Sequence, residues 1–492
     1  MSKRVFLFLA FLTVLLVNAF PLYQALTCKG RLYYVNAYDE AYYLQYDFSR
    51  ENERLSRPGQ YLVTLAHEAG LSGGWINLLF DTFFVTAFLF LVRALFEAAG
   101  YDDRRSNMAS ILMTLGPLLF LGSNPVVRIL FDKSLSHGFV SWLAVPEAPY
   151  LPIVRSPEPQ FSILLAGLGS FFALKRQRLV YAVLCLPLLY SFVALPLAFV
   201  LLALHLRDQS AWLEKRPALC LAASFLSVAL VQAIYFRFLV PDWIRQVLLV
   251  PSRAPCLSLT FVGAFAGYLV LCREIPAKGR FLLLAAVFAP LAAENGQLVT
   301  GRYVDANNVE QNFGVYAAAL VLTWAVLEST RLKRSAWAVV GVLFLLLLNS
   351  SAVFFKVNYD NEKRLPLDAE LLGRLRADSP HVAINDMTLA SLASMVLPKQ
   401  PMTLFSFAHT SPPVKNADLV QYLCAKGQIL RDEARRPQFE KVLGEMDRWY
   451  RHENADFVLI SGGRRESYPV EHDMDAVPAD CRPMTLHYVL SK

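Results

Sequence analysis

Asp39 and Glu40 stand side by side in Asn36-Ala-Tyr-Asp-Glu-Ala-Tyr-Tyr-Leu44, an acidic, tyrosine-rich run a few residues after the first hydrophobic span. An acidic pair just outside a membrane helix, with Tyr42 and Tyr43 beside it, points to an enzyme of the membrane surface. The same loop, roughly Cys28 to Gly74, adds Asp47, Arg50, Arg54, Arg57 and His67. A second polar loop, from about Pro125 to Pro159, carries Arg128, Asp132, Lys133, His137, Glu147, Arg155 and Glu158. A third runs from Glu294 through Gln297, Thr300, Gly301 and Arg302 to Glu310. Three polar loops on one face could converge on a single cleft. Asp81 is different, because it lies inside an apolar span, where an ionisable group is expensive and usually faces a cavity or a partner.

The elements that must position these residues are membrane spans. The chain has 492 residues, of which 55% are hydrophobic and 13% aromatic, which fits neither a soluble globular chain nor a disordered one. A helix needs about 20 apolar residues to cross roughly 30 Å of hydrocarbon. Spans are predicted at 5–27, 75–97, 108–124, 159–174, 217–238, 257–272, 280–296, 313–330 and 336–355. Between Leu179 and Leu206 the apolar run is too long for one upright helix and contains Pro187 and Pro196, so two short half-helices are predicted there. That makes about eleven membrane segments.

Charge predicts the orientation. With Lys3-Arg4 inside, the basic loops at Arg104-Arg105, Lys175 to Arg178, Arg207 with Lys215-Arg216, Arg273 to Arg280 and Arg331 to Arg334 all fall on the cytoplasmic side. A formal net charge of +7 is then a topology signal beside anionic lipid, and no nucleic-acid partner is expected. The first span lacks a clear small-x-small cleavage site and is expected to be a retained anchor. No Cys/His cluster has metal-site spacing, and no cofactor is expected.

The chain divides near residue 357. Residues 1–356 form the multi-spanning region, and 357–492 are expected to form an extracytoplasmic mixed α/β domain. Its predicted strands are 381–385, 402–407, 456–461 and 486–491, and its predicted helices 367–376, 387–397 and 438–450.

Asp39-Glu-Ala-Tyr-Tyr43 after the first span, the Arg-x-Pro-x-Pro-Gln element at Arg155 to Gln160, and Gln297-x-x-Thr-Gly301 together resemble the GT-C superfamily of polyprenyl-phosphate-dependent glycosyltransferases. The branch meant is that of the protein mannosyltransferases and lipid A aminoarabinose transferases. The likeness covers roughly residues 1–355. It implies transfer of one sugar from a polyprenyl phosphate carrier to a lipid, glycan or protein acceptor on the non-cytoplasmic face, with inversion. Such a transfer needs a base for the acceptor proton and positive charge for the departing lipid phosphate. The resemblance implies Asp39 as the base, with Glu40 holding an arginine or fixing the loop. It implies Arg57 and Arg302, then Arg155 and Arg128, for the phosphate, since guanidinium groups bind phosphate oxygens in a bidentate way. Tyr42, Tyr43, Asp81, Glu158, Gln297 and Thr300 are the substrate-contact candidates. The favoured branch generally uses no metal, although some relatives use a divalent ion. Members commonly carry a His after the Thr-Gly element, where this chain has Asn307-Asn308, so no donor contact is assigned there.

Other readings stand beside these. Asp39 could cap a short interfacial helix whose tyrosines join an aromatic belt. Arg57 could anchor the Pro58-Gly59 turn, Arg302 could snorkel, and Glu158 could complement a helix dipole. For the whole chain the alternatives are a lipid-linked glycan flippase or other transporter, and a non-enzymatic envelope assembly protein.

Overall fold

The computed structural model describes residues 1–27, 32, 58–121, 151–154, 158–189, 191–209, 211–238, 253, 255–275, 277–301, 309–329 and 335–361, and five C-terminal strands. Among the described residues five helices are long and apolar enough to cross a membrane, or six if a bent N-terminal pair counts as one span. Large side chains such as Phe8, Phe11, Phe83, Leu345 and Val270 are exposed along these and neighbouring helices. An outer surface of that kind suits contact with lipid, and the chain is an α-helical membrane protein.

The first predicted span is that bent pair, α1 (Lys3–Val17) and α2 (Ala19–Thr27), meeting at 66°. Pro21 explains the break, because it has no N–H to return to the carbonyl of Val17. The Asn18 side chain instead bonds Val14 O at 3.0 Å. Then come α3 (Pro58–Glu68), α4 (Gly73–Ala98), α5 (Asp103–Leu115), α6 (Gln160–Arg176), α7 (Ser191–Asp208), α8 (Pro217–Phe238), α9 (Leu259–Leu271), α10 (Ala277–Glu294), α11 (Val315–Glu328) and α12 (Ala336–Asn361). Helix α3 falls in the stretch read from sequence as a polar loop; it opens on Pro58, whose missing N–H is harmless in a first turn.

The Leu179 to Leu206 region differs from expectation. It holds one short helix, Val180–Cys185, a 3-10 turn at Leu186–Leu188, and then α7, an 18-residue helix of spanning length. Pro187 sits in the break, whereas Pro196 lies inside α7. Packing of α7 on α8 and α10 holds the helix through the missing bond.

Helices α1, α4, α5 and α12 share a core of Phe6, Val85, Leu89, Ile111, Leu112, Leu115 and Leu343, closed by Ile153. Ser351 Oγ of α12 donates 2.6 Å to Leu16 O at the end of α1. A second core joins α7, α8 and α10 through Phe199, Ala203, Val228, Ala285 and Ala289, and a third joins α9, α10 and α11 through Phe261, Leu283, Ala318 and Val321. Alanines at these contacts let backbones approach, which is how helices gain van der Waals contact in lipid.

Polar contacts identify one end of the bundle. The Met1 amino group donates to Arg104 O at 3.0 Å, and Arg105 reaches Glu328 at 3.7 Å, so the N-terminus, the α4–α5 turn and the end of α11 lie together. Asp102 caps α5 by accepting from Arg105 N at 2.9 Å, and that backbone bond holds its carboxyl below the usual range. Following the chain from this end, Gly73 of α4 and the starts of α9 and α11 lie at the other.

In the C-terminal part, β1 (Val382–Ile384), β2 (Met402–Leu404), β3 (Phe457–Ser461), β4 (Arg464–Tyr468) and β5 (His487–Ser491) form one sheet in the order β2-β1-β5-β3-β4. Only β1 and β2 pair in parallel. Strand β4 was not expected; it pairs antiparallel with β3 from Ser461 and Arg464, and the two residues between are Gly462-Gly463, a dipeptide favoured in two-residue hairpins. The expected helices at 367–376, 387–397 and 438–450 lie outside the described residues.

Candidate functional site

Two buried polar clusters lie at the end of the bundle opposite the N-terminus. The first is built by α3, α4 and α6. Asp81 lies eight residues into α4, about 12 Å along the helix, and is buried. Gln160, the first residue of α6, donates to Asp81 Oδ1 at 3.0 Å and to Ile153 O at 2.9 Å. One amide thus ties the acid to the short 3-10 turn Pro152–Val154 that precedes α6. Glu158 is also buried, and its Oε2 accepts from Ser162 Oγ at 2.6 Å and Ser162 N at 3.3 Å. That is the bonding of a carboxylate at a helix start.

Helix α3 adds a buried polar stripe. Gln60, Thr64 and His67, at i, i+4 and i+7, all face inward. His67 Nδ1 donates to Leu71 O at 3.0 Å, while neither polar atom of Gln60 has a hydrogen-bond partner among the described residues. Asn77, one turn before Asp81, is buried as well. The buried polar side chains of α3, α4 and α6 thus include three carboxamides, two carboxylates and an imidazole, groups that can hydrogen-bond hydroxyls. Sequence reading missed Gln60; the signal was the 60/64/67 spacing behind Pro58.

The second cluster joins α8, α9, α10 and the π-helical turn Glu310–Gly314 that leads into α11. Glu294 closes α10 and Glu310 opens the π-helical turn packed against that helix, and both are buried. Ser258 donates to Glu310 and in turn caps α9, accepting from Phe261 N at 2.9 Å. No lysine or arginine pairs with either glutamate among the described residues. Gly314 permits the arrangement, because a Cβ there would collide with the Glu310 carboxyl. Beside the pair, Asn295 clamps Cys256 reciprocally, Cys256 N to Oδ1 at 2.7 Å and Nδ2 to Cys256 O at 2.8 Å. Tyr316, half-buried one helix turn after Asn312, packs on Phe88 of α4 with ring centroids 5.6 Å apart and so lies between the clusters.

Of the residues expected at a site, Asp81 accepts from Gln160, the last residue of the Arg155 to Gln160 element, and Glu158 serves the start of α6. Gln297 is buried, with Nε2 donating to Cys256 Sγ at 3.3 Å, and Thr300 is half-buried near the rim. Asp39, Glu40, Tyr42, Tyr43, Arg57, Arg128, Arg155 and Arg302 lie outside the described residues. No group of three His, Cys, Asp or Glu side chains is arranged to hold a metal among the described residues.

Fold and site together define a polytopic helical membrane protein with polar side chains gathered inside one end of its bundle. No known protein family, no curated protein and no solved structure matches the chain.

Proposed function

We propose that the chain is a GT-C-like membrane glycosyltransferase that moves one sugar from a polyprenyl phosphate carrier to an acceptor hydroxyl, amine or phosphate. In this reading residues 1–356 form about eleven membrane segments, with the N-terminus cytoplasmic and both polar clusters toward the non-cytoplasmic face. Residues 357–492, which contain the five-stranded sheet, are an extracytoplasmic α/β domain that helps to recognise the acceptor or covers the cleft. Asp39 takes the acceptor proton, and arginines of the outer loops hold the carrier phosphate.

The observation that carries the reading is the Gln160–Asp81 hydrogen bond. It joins the Arg155 to Gln160 element to the one acid that sequence singles out inside a span, and it does so at the end where the Asp39 loop enters α3 and α4. The test is transfer of radiolabelled sugar from a panel of short-chain polyprenyl phosphate sugars by purified protein. Turnover with one donor, abolished by Asp39→Asn while donor binding persists, supports enzyme and base together. Equal turnover by both proteins removes Asp39 from the chemistry, and no turnover with any donor removes the transferase.

One observation favours a second reading, a transporter. Glu294 and Glu310 are carboxyls buried in the membrane region, a common sign of proton or ion coupling. A transporter would move lipid-linked sugar across vesicles without transferring it, and would lose that activity in Glu310→Gln and not in Asp39→Asn.

A further inference from the structure

Helix α12 is the barest of the described helices long enough to span. Of its most apolar stretch 17% is buried, against 28–67% in the other four. Its inward face is Ala336, Val340, Leu343 and Leu347, at spacings of four, three and four, and it packs into the core shared with α1, α4 and α5. The opposite face repeats the pattern. Ala338, Val342, Leu345, Asn349 and Ala352 are all exposed, and their spacings of four, three, four and three are those of a heptad seam with Val342 and Asn349 at its a positions. Gly341 lies on the same face, and a Cβ there would meet nothing within 4 Å.

Asn349 is the odd member of this face. It stands about 20 Å along the helix from Ala336 and about 10 Å before Lys356, which puts it within the roughly 30 Å of hydrocarbon. Its carboxamide makes no hydrogen bond among the described residues. On the inward side, by contrast, Ser351 is satisfied by Leu16 O. An amide turned toward lipid leaves two donors and an acceptor in a medium that offers them no partner.

A second copy of the chain supplies what this amide lacks. Copies inserted in one membrane share an orientation, so a closed pair with its two-fold axis along the membrane normal sets the two α12 helices parallel. Parallel helices packed on a heptad seam bring each a position opposite its own counterpart. A carboxamide is self-complementary in that place, since each one donates an N–H to the oxygen of the other, and a single polar a position fixes the register. The seam carries no charge between Ala338 and Ala352 to hold two copies apart; Lys356 follows one turn later, where its long stem can reach water.

We propose that the chain forms a parallel dimer through the outward face of α12, with the two Asn349 carboxamides hydrogen-bonded to each other inside the membrane. The pairing is independent of the reaction that the bundle carries out.

The experiment counts copies of the full chain by stepwise photobleaching, with one fluorophore per chain, in vesicles over a range of protein-to-lipid ratios. Native protein should bleach in two steps as its density rises. Asn349→Leu should weaken the dimer about tenfold, whereas Asn349→Gln, which keeps an amide, should stay nearer to native than to the leucine variant. Single steps from native protein at every density, or a leucine variant that dimerises as tightly as native, would overturn the proposal. Disulfide trapping of the full chain with its native cysteines replaced gives a separate reading. Val342→Cys or Leu345→Cys should link two copies, and Val340→Cys or Leu343→Cys on the inward face should not; trapping through the inward positions, or none through the outward ones, excludes this face as the contact. Should Asn349→Leu fail to fold, the trapping result decides alone.

Discussion

Gln160 spends one amide nitrogen on two acceptors, Asp81 and Ile153 O, inside the bundle. Replacing it with leucine removes the donor and leaves a buried carboxylate short of a partner, a change that costs about 1–3 kcal/mol. Gln160→Leu should therefore unfold at lower temperature than Gln160→Glu at acidic pH, where a protonated glutamate can still donate, and circular dichroism in detergent would register the difference. Equal melting temperatures would mean that the amide is not what holds Asp81. Gly314 gives a second test at this scale. Alanine normally stabilises a helix interior by about 0.5–1 kcal/mol relative to glycine, but here its Cβ meets the Glu310 carboxyl. Gly314→Ala should destabilise the native chain and stabilise a Glu310→Ala background. A double-mutant cycle in which Gly314→Ala has the same sign in both backgrounds would remove the proposed contact.

Elements here are set by their ends. Ser2 and Ser258 start α1 and α9, Asp102 starts α5, and α6 stops at Gln177, whose φ of 53° lets the chain turn while Lys175 and Arg176 sit in the last turn. The Asp102 carboxyl is held low chiefly by its bond from Arg105 N. A group with a depressed folded pKa contributes stability above its unfolded value and loses it as pH falls through the folded one. Asp102→Ala should thus lower the melting temperature at neutral pH and bring the variant level with the native chain at strongly acidic pH, whereas Asp102→Asn, which keeps the cap, should remove the pH dependence. Melting curves taken at a series of pH values read this directly, and a gap that persists unchanged into acid would contradict it.

On the scale of the molecule, the bundle has one end that carries the N-terminus, Arg105 and Glu328, and another that carries both polar clusters. In the proposed topology, the charge bias of the loops puts the first end in the cytoplasm. In a background with the native cysteines replaced, Glu68→Cys should react with a membrane-impermeant maleimide in intact cells, and Asp103→Cys only after permeabilisation. The reverse pattern would invert the topology and separate the polar clusters from any extracytoplasmic substrate. Both positions are exposed, so labelling reports side rather than burial.

Hydropathy alone placed the spans at 75–97, 159–174, 217–238, 257–272, 280–296 and 336–355 close to α4, α6, α8, α9, α10 and α12, because twenty apolar residues have few other uses in a chain with this composition. The same reading could mark Asp81 as costly and Gln160 as part of an element, but it could not join them, since they are 79 residues apart and only the packing of α4 on α6 brings them within 3.0 Å. Proline by itself did not say where a helix would break. Pro187 lies in a turn and Pro196 inside α7, and the difference is made by the neighbours packed around them. The burial of Gln60 and the meeting of Ser258 with Glu310 were equally hidden. Residue type and spacing determine which segments enter the membrane, because burial of apolar length is a local sum. Which polar groups meet inside is decided by helix packing, because it depends on contacts between parts of the chain that sequence order keeps apart.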